Sequence, residues 1–242
     1  MKKIILSLIL AATLLSALAA CSAANFTAIS GSGTVMTQTY DFTAFDEVEI
    51  GSAFTATITQ GDASGVVVRV DDNLVDKLVV TQEENRVTIG LAEGTIVRQA
   101  TLEADVTLPR LTQLNAHGAS RVQISPFTTG DLFRVEVSGA AEVRGDLDAA
   151  DLELEASGAS RLVLAGSAAN VQAKSSGAST IDLTDLSAID AQTEASGAST
   201  VTVNIDGILD ADADGASNIY YLGNPEMGTI DTSGGSNVGP RP

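Results

Sequence analysis

Seven times between residues 117 and 236 the chain repeats one small-residue signature centred on glycine. The copies are His117-Gly118-Ala119-Ser120, Ser138-Gly139-Ala140-Ala141, Ser157-Gly158-Ala159-Ser160 and Ser176-Gly177-Ala178-Ser179, followed by Ser196-Gly197-Ala198-Ser199, Asp214-Gly215-Ala216-Ser217 and Ser233-Gly234-Gly235-Ser236. The glycines stand at 118, 139, 158, 177, 197, 215 and 234, so successive intervals are 21, 19, 19, 20, 18 and 19 residues. A fixed period of this size marks a solenoid, in which each repeat is one rung and only stacking buries its apolar face.

Alignment on the glycines shows what each rung is made of. Four residues after glycine stand Val122, Val143, Leu162, Ile181, Val201, Ile219 and Val238. Four before it stand Leu114, Val135, Leu154, Ala173, Thr193, Ala211 and Ile230, and two before it nearly every residue is small. The position between, three before glycine, is polar: Asn115, Glu136, Glu155, Lys174, Glu194, Asp212 and Asp231. Alternation over short β-branched runs specifies strand rather than helix. Each rung therefore holds two strands flanking a Gly-Ala-Ser corner. A second turn is expected near Gly145-Asp146, Gly166-Ser167, Asp206-Gly207 and Gly223-Asn224-Pro225.

Rungs of about 19 residues with no helical segment specify an all-β fold, a β-solenoid or parallel β-helix. Glycine suits a corner that needs positive φ or leaves no room for Cβ. Serine beside it can bond a stacked hydroxyl or a free carbonyl. At roughly 4.8 Å per rung, seven rungs make a rod of roughly 34 Å. A β-sandwich with accidental periodicity is the competing arrangement, and six intervals agreeing within three residues argue against it.

Residues 1–20 read as a signal peptide: Lys2 and Lys3 precede an apolar run from Ile4 to about Ala17, short for a membrane span. Leu18-Ala19-Ala20-Cys21 has the form of a bacterial lipobox, and Cys21 is the only cysteine, so it cannot form an internal disulfide. Cys21 is thus the expected lipid attachment site, with acyl chains holding the protein to a membrane. Residues 21–39, rich in small and hydroxyl residues, are expected as a flexible tether. The solenoid domain is expected over 40–242. Within it, 40–110 forms a less regular opening part with strands near Val48–Gly51, Phe54–Gln60, Val66–Asp71, Lys77–Gln82, Arg86–Leu91 and Thr101–Leu108. Such a part can cap an apolar end.

The formal charge is −18, and its 13 lysines and arginines are scattered, which argues against nucleic-acid binding. It also favours solubility and repulsion from anionic headgroups. The acidic column three before glycine is the sharpest candidate for chemistry. Its carboxylates would sit about 5 Å apart on neighbouring rungs, near enough to share a hard cation such as calcium or to form a solvated polar face with Lys174 easing repulsion. Asp210, Asp212 and Asp214 lie on one face of one strand. The Gly-Gly-x-Gly-x-Asp calcium repeat is absent.

Uniform rung lengths leave no loop large enough to wall a cleft after Gly118, so paired carboxylates have no cleft in which to hydrolyse a glycoside. His117 is the only histidine and takes a corner position, which excludes a histidine triad or a multi-histidine metal site. No catalytic, cofactor-binding or metal-ligating residue is expected. Tyr220 and Tyr221 are adjacent on a strand and point to opposite faces, one to the core and one outward.

The run Gly215-Ala216-Ser217-Asn218-Ile219-Tyr220-Tyr221-Leu222-Gly223-Asn224-Pro225 resembles the head GIN domain family. So do Phe45-Asp46-Glu47-Val48-Glu49-Ile50, Ile58-Thr59-Gln60-Gly61-Asp62 and Leu108-Pro109-Arg110-Leu111. The likeness covers about residues 40–238. It implies a right-handed β-helical fold, an adhesin-like role and a bacterial lipoprotein, and it brings no catalytic residues. The expected function is a non-enzymatic, lipid-anchored module of the cell envelope, facing periplasm or exterior, that binds an extracellular glycan or protein or serves as a structural element. The alternative is a carbohydrate-active β-helix enzyme acting on an extracellular polysaccharide.

Overall fold

The computed structural model describes residues 28–242. The leading half contains β1 (Ile29–Ser30), β2 (Val35–Tyr40), β3 (Glu47–Ile50), β4 (Thr55–Gln60) and β5 (Gly65–Asp71). A short 3-10 helix over Asp72–Lys77 follows, then β6 (Leu78–Glu83), β7 (Arg86–Leu91), β8 (Val97–Arg98), β9 (Leu102–Leu108) and β10 (Gln113–Ala116). Four long strands each run from one glycine corner to the next: β11 (Arg121–Val137), β12 (Glu142–Ala156), β13 (Arg161–Ser175) and β14 (Thr180–Ala195). The closing turns are divided into β15 (Thr200–Ile205), β16 (Ile208–Ala213), β17 (Asn218–Gly223), β18 (Glu226–Thr232) and β19 (Asn237–Pro240).

From β10 onward every pairing is parallel, and the register joins each aligned position into a ladder. Leu114, Val135, Leu154, Ala173, Thr193, Ala211 and Ile230 stack in that order, as do Val122, Val143, Leu162, Ile181, Val201, Ile219 and Val238. Both ladders point inward and are buried, except at the last rung, where Ile230 is 37% exposed and Val238 half-buried. The chain is thus a β-solenoid with the rung period expected from its glycines. Because each apolar side chain is covered only by the rungs on either side, the terminal rung is the least buried.

The corners account for the glycines. All seven have φ between 69° and 78°, left-handed backbone that disfavours other L-residues. Each corner also rests on the one before: a Cβ on Gly158 would lie 2.8 Å from the Gly139 carbonyl oxygen. At six of the seven corners the residue two after glycine is a serine that donates its hydroxyl to a carbonyl of the preceding rung. Ser160 reaches Val137 at 3.0 Å, Ser199 reaches Ser175 at 3.0 Å and Ser217 reaches Ala195 at 2.9 Å.

The second turn differs from expectation in the long rungs. Gly145-Asp146 and Gly166-Ser167 lie inside the continuous strands β12 and β13, whose mutual ladder runs unbroken past them, while the ladders to β11 and β14 shift register close by. Asp206-Gly207 falls between β15 and β16, and Asn224-Pro225 separates β17, which ends at Gly223, from β18.

The leading part is a cap with its own topology. β3 and β4 flank an eighth corner, Gly51-Ser52-Ala53, and pair in parallel with β10 and β11. Ser52 occupies the glycine place at φ 63°. On the opposite side of this rung lie β7 and β9, parallel to β3 and β4, so the turn reached first in sequence is second in the stack. β5 and β6 run antiparallel to β9 and β7, and β2 antiparallel to β5. These antiparallel strands close the apolar end that an open coil would expose.

The part expected as tether is folded from Ile29 on: β1 pairs with β8, and β2 with β5. Asp71, 1% exposed, holds this segment by accepting hydrogen bonds from the Gly33 and Thr101 amides at 2.9 and 2.7 Å. The signal peptide, Cys21 and the start of the tether lie outside the described residues.

Candidate binding face

Outward side chains on the strands leading into the corners form three columns along the solenoid. The column three before glycine is assembled as expected: Asn115, Glu136, Glu155, Lys174, Glu194, Asp212 and Asp231 are register partners in succession. Lys174 pairs with Glu194 at 3.1 Å. His117 sits in its corner above Gly51 and contacts Glu49 at 3.2 Å through Nε2.

Several carboxylates act as latches between rungs. The Asp214 carboxylate accepts from the Ser233 hydroxyl at 2.6 Å and from the Gly215 amide at 2.7 Å, and these bonds hold its carboxyl below the usual carboxylate range. Asp210 accepts from the Thr229 amide at 2.6 Å, and Asp190 from the Ile208 amide at 2.7 Å. Of the three carboxylates in the run from Asp210 to Asp214, two are therefore committed to the next rung. Among the described residues no group of three or more His, Cys, Asp or Glu is arranged to hold a metal ion. Tyr220 and Tyr221 do face opposite sides, but both are half-buried. Tyr221 stands in register between buried Val203 and Pro240 of the last rung.

A feature absent from the sequence reading lies beside this face. A trough of about 430 Å³ runs along the axis between two rails of side chains. One rail is Leu132, Asp151, Asn170, Asp190 and Ile208; the other is Glu153, Gln172, Gln192 and Asp210. Register places Leu132, Asp151, Asn170 and Asp190 on successive rungs, and Glu153, Gln172, Gln192 and Asp210 likewise. Between the rails the inward-pointing residues Leu152, Val171 and Ala191 leave the strand backbone as the floor.

Within the rails, Asn170 donates to Asp151 at 2.6 Å and Gln172 to Gln192 at 3.3 Å. Glu153 is paired with Arg134 at 2.8 Å. These residues stand seven and five positions before glycine, so the same alignment that exposed the acidic column contains them. They escape notice because amides, carboxylates and aliphatic residues alternate there without a single residue type.

Fold and face together define a class: a capped parallel β-solenoid whose lateral surfaces are lined by side-chain ladders and unbroken by long loops. The chain belongs to the family described as "Putative auto-transporter adhesin, head GIN domain", whose model matches residues 44–225. Similar solved structures share the fold at low sequence identity. A "putative adhesin" from Bacteroides fragilis is 22% identical with a TM-score of 0.81, covering 88% of this chain and 100% of that one. A "putative lipid binding protein" from Parabacteroides distasonis is 22% identical with a TM-score of 0.67, covering 88% and 99%. A "putative adhesin" from Parabacteroides merdae is 16% identical with a TM-score of 0.65, covering 88% and 99%. The sequence has no match among curated proteins. No helix among the described residues is long and apolar enough to cross a membrane.

Proposed function

We propose that the protein is a non-enzymatic, adhesin-like binding module of the cell envelope, held to a membrane by acyl chains on Cys21. The observation that carries the binding role is the lateral surface. Ladders of outward polar side chains, held in register across the long rungs, present an extended recognition surface on a rigid rod, in a family named for adhesins. Solenoids use such repeated faces to bind extended partners. Against the polysaccharide-cleaving alternative, the rungs from β11 to β14 run corner to corner without an insertion to wall a cleft. The Lys2-Lys3 start, the apolar run and the Leu18-Ala19-Ala20-Cys21 sequence support the anchor, since acyl chains give membrane attachment without a protein span.

Cell fractionation with intact mass measurement tests the anchor: the parent chain sediments with membranes and carries acyl mass, and Cys21→Ala is released. A Cys21→Ala chain that still fractionates with membranes contradicts it. Binding of the full chain to a panel of surface glycans and envelope proteins tests the module; cleavage of a glycan on that panel would replace it with the enzyme.

A further inference from the structure

We propose that the trough between the two rails binds a linear, uncharged glycan chain lying along the solenoid axis; this rests on the binding-module function above. The trough crosses five rungs from Leu132 to Ile208, a length of roughly 19 Å at roughly 4.8 Å per rung. It presents hydrogen-bonding groups at a regular pitch along both sides. Asp151, Asp190 and Asp210 offer acceptors, while Asn170, Gln172 and Gln192 offer donors as well as acceptors. A sugar hydroxyl both donates and accepts, so a mixed row of amides and carboxylates suits it. Leu132 and Ile208 close the two ends with apolar surface, and Ile189, 60% exposed, stands beside the rail. These match the C–H faces of sugar rings.

Other ligand classes fit less well. An extended peptide gains affinity chiefly by main-chain bonding to a free strand edge. Here the floor strands spend their backbone groups on neighbouring rungs. No lysine or arginine lines the trough, and an anionic glycan would meet Asp151, Asp190 and Asp210, carboxylates that have no ion-pair partner among the described residues. A polycation is favoured by charge, since only Glu153 has a cationic partner, but it would have to share each carboxylate with the bond that group already accepts. Asp151 is bonded by Asn170, Glu153 by Arg134, Asp190 by the Ile208 amide and Asp210 by the Thr229 amide.

The test is calorimetric titration of the full chain in detergent with cello- and manno-oligosaccharides from the disaccharide to the hexasaccharide. Oligouronates and oligolysine are run beside them. Affinity is expected to rise with neutral chain length until the trough is filled and to vary little with salt. Gln192→Ala and Asn170→Ala should each weaken it about tenfold with the melting temperature unchanged. The proposal is overturned if no neutral oligosaccharide binds, if both variants bind like the parent, or if only oligolysine binds and salt abolishes it. Adhesion of the chain to whole cells separates the two levels. If adhesion persists undiminished in both variants, the trough assignment fails and the module stands; if the parent does not adhere and binds nothing on the panel, the module itself fails.

Discussion

The Gly158 corner rests directly on Gly139: the Ala159 amide donates to the Gly139 carbonyl at 2.7 Å, and that oxygen occupies the space a Cβ on Gly158 would need. Conformation and contact thus ask for glycine independently. Gly158→Ala is expected to cost at least about 2 kcal/mol, combining left-handed backbone strain with displacement of a backbone neighbour. Gly130→Ala, where a Cβ meets nothing within 4 Å, should change stability by less than about 0.5 kcal/mol. Urea denaturation of both variants checks the pair.

Among the seven glycine corners the inward serine is missing from one, where Ala141 lies 1% exposed. The carbonyl it would meet is that of Ala116, which already accepts the Ser138 amide at 2.9 Å. In the next rung the equivalent Val137 carbonyl takes both the Ser157 amide and the Ser160 hydroxyl. Ala141→Ser should therefore stabilise the fold by about 0.5–1 kcal/mol, and Ser199→Ala destabilise it by about 1 kcal/mol. Thermal melts of the two variants should move in opposite directions.

Acid should weaken the far end of the solenoid through Asp182. Partial burial pushes its carboxyl up, but the Thr184 hydroxyl and amide, with Arg241 and Arg161 nearby, outweigh this and hold it below the usual range. A carboxyl depressed in the folded state adds stability that is fully present above its unfolded pKa, about 3.9. That stability is lost as pH falls through the folded value. Asp182→Asn should be less stable than the parent at neutral pH, with the difference shrinking below about pH 4. Denaturant midpoints measured across that range check the convergence.

Lys174 interrupts the acidic column between Glu155 and Glu194. Lys174→Glu removes an exposed ion pair and sets like charges on adjacent rungs, which should cost about 0.5–1 kcal/mol at low salt. The loss should shrink markedly in high salt, where the screening length is about 3 Å at 1 M. Melting curves at two ionic strengths distinguish this from a packing defect.

The repeating part was legible in the sequence because each rung repeats the same local problem. Glycine at the corner, serine beside it and alternating apolar residues are imposed anew every turn, and the aligned ladders emerge in register. The cap was legible only as strands: the six expected there match β3 to β7 and β9 within a residue or so, but their order in the stack did not show. That order depends on β10 returning past the β3–β4 rung, a non-local pairing with no local residue signature. The eighth corner escaped because Ser52 stands where the others have glycine. The folding of residues 29–40 escaped because its hold is Asp71, far along the chain. The trough escaped because its rails are defined by position across rungs and by no repeated residue.

Everything proposed for the lateral face depends on one rung being added for each glycine corner. Spin labels at Glu49→Cys paired in turn with Glu194→Cys, Asp212→Cys and Asp231→Cys, in a Cys21→Ala chain, measure this directly by dipolar spectroscopy. These positions lie on one ladder through Asn115. The inter-label distance should therefore lengthen by about 4.8 Å at each step, from roughly 24 Å to roughly 34 Å. Distances that fail to grow from one pair to the next would contradict the stacked solenoid and the trough built on it.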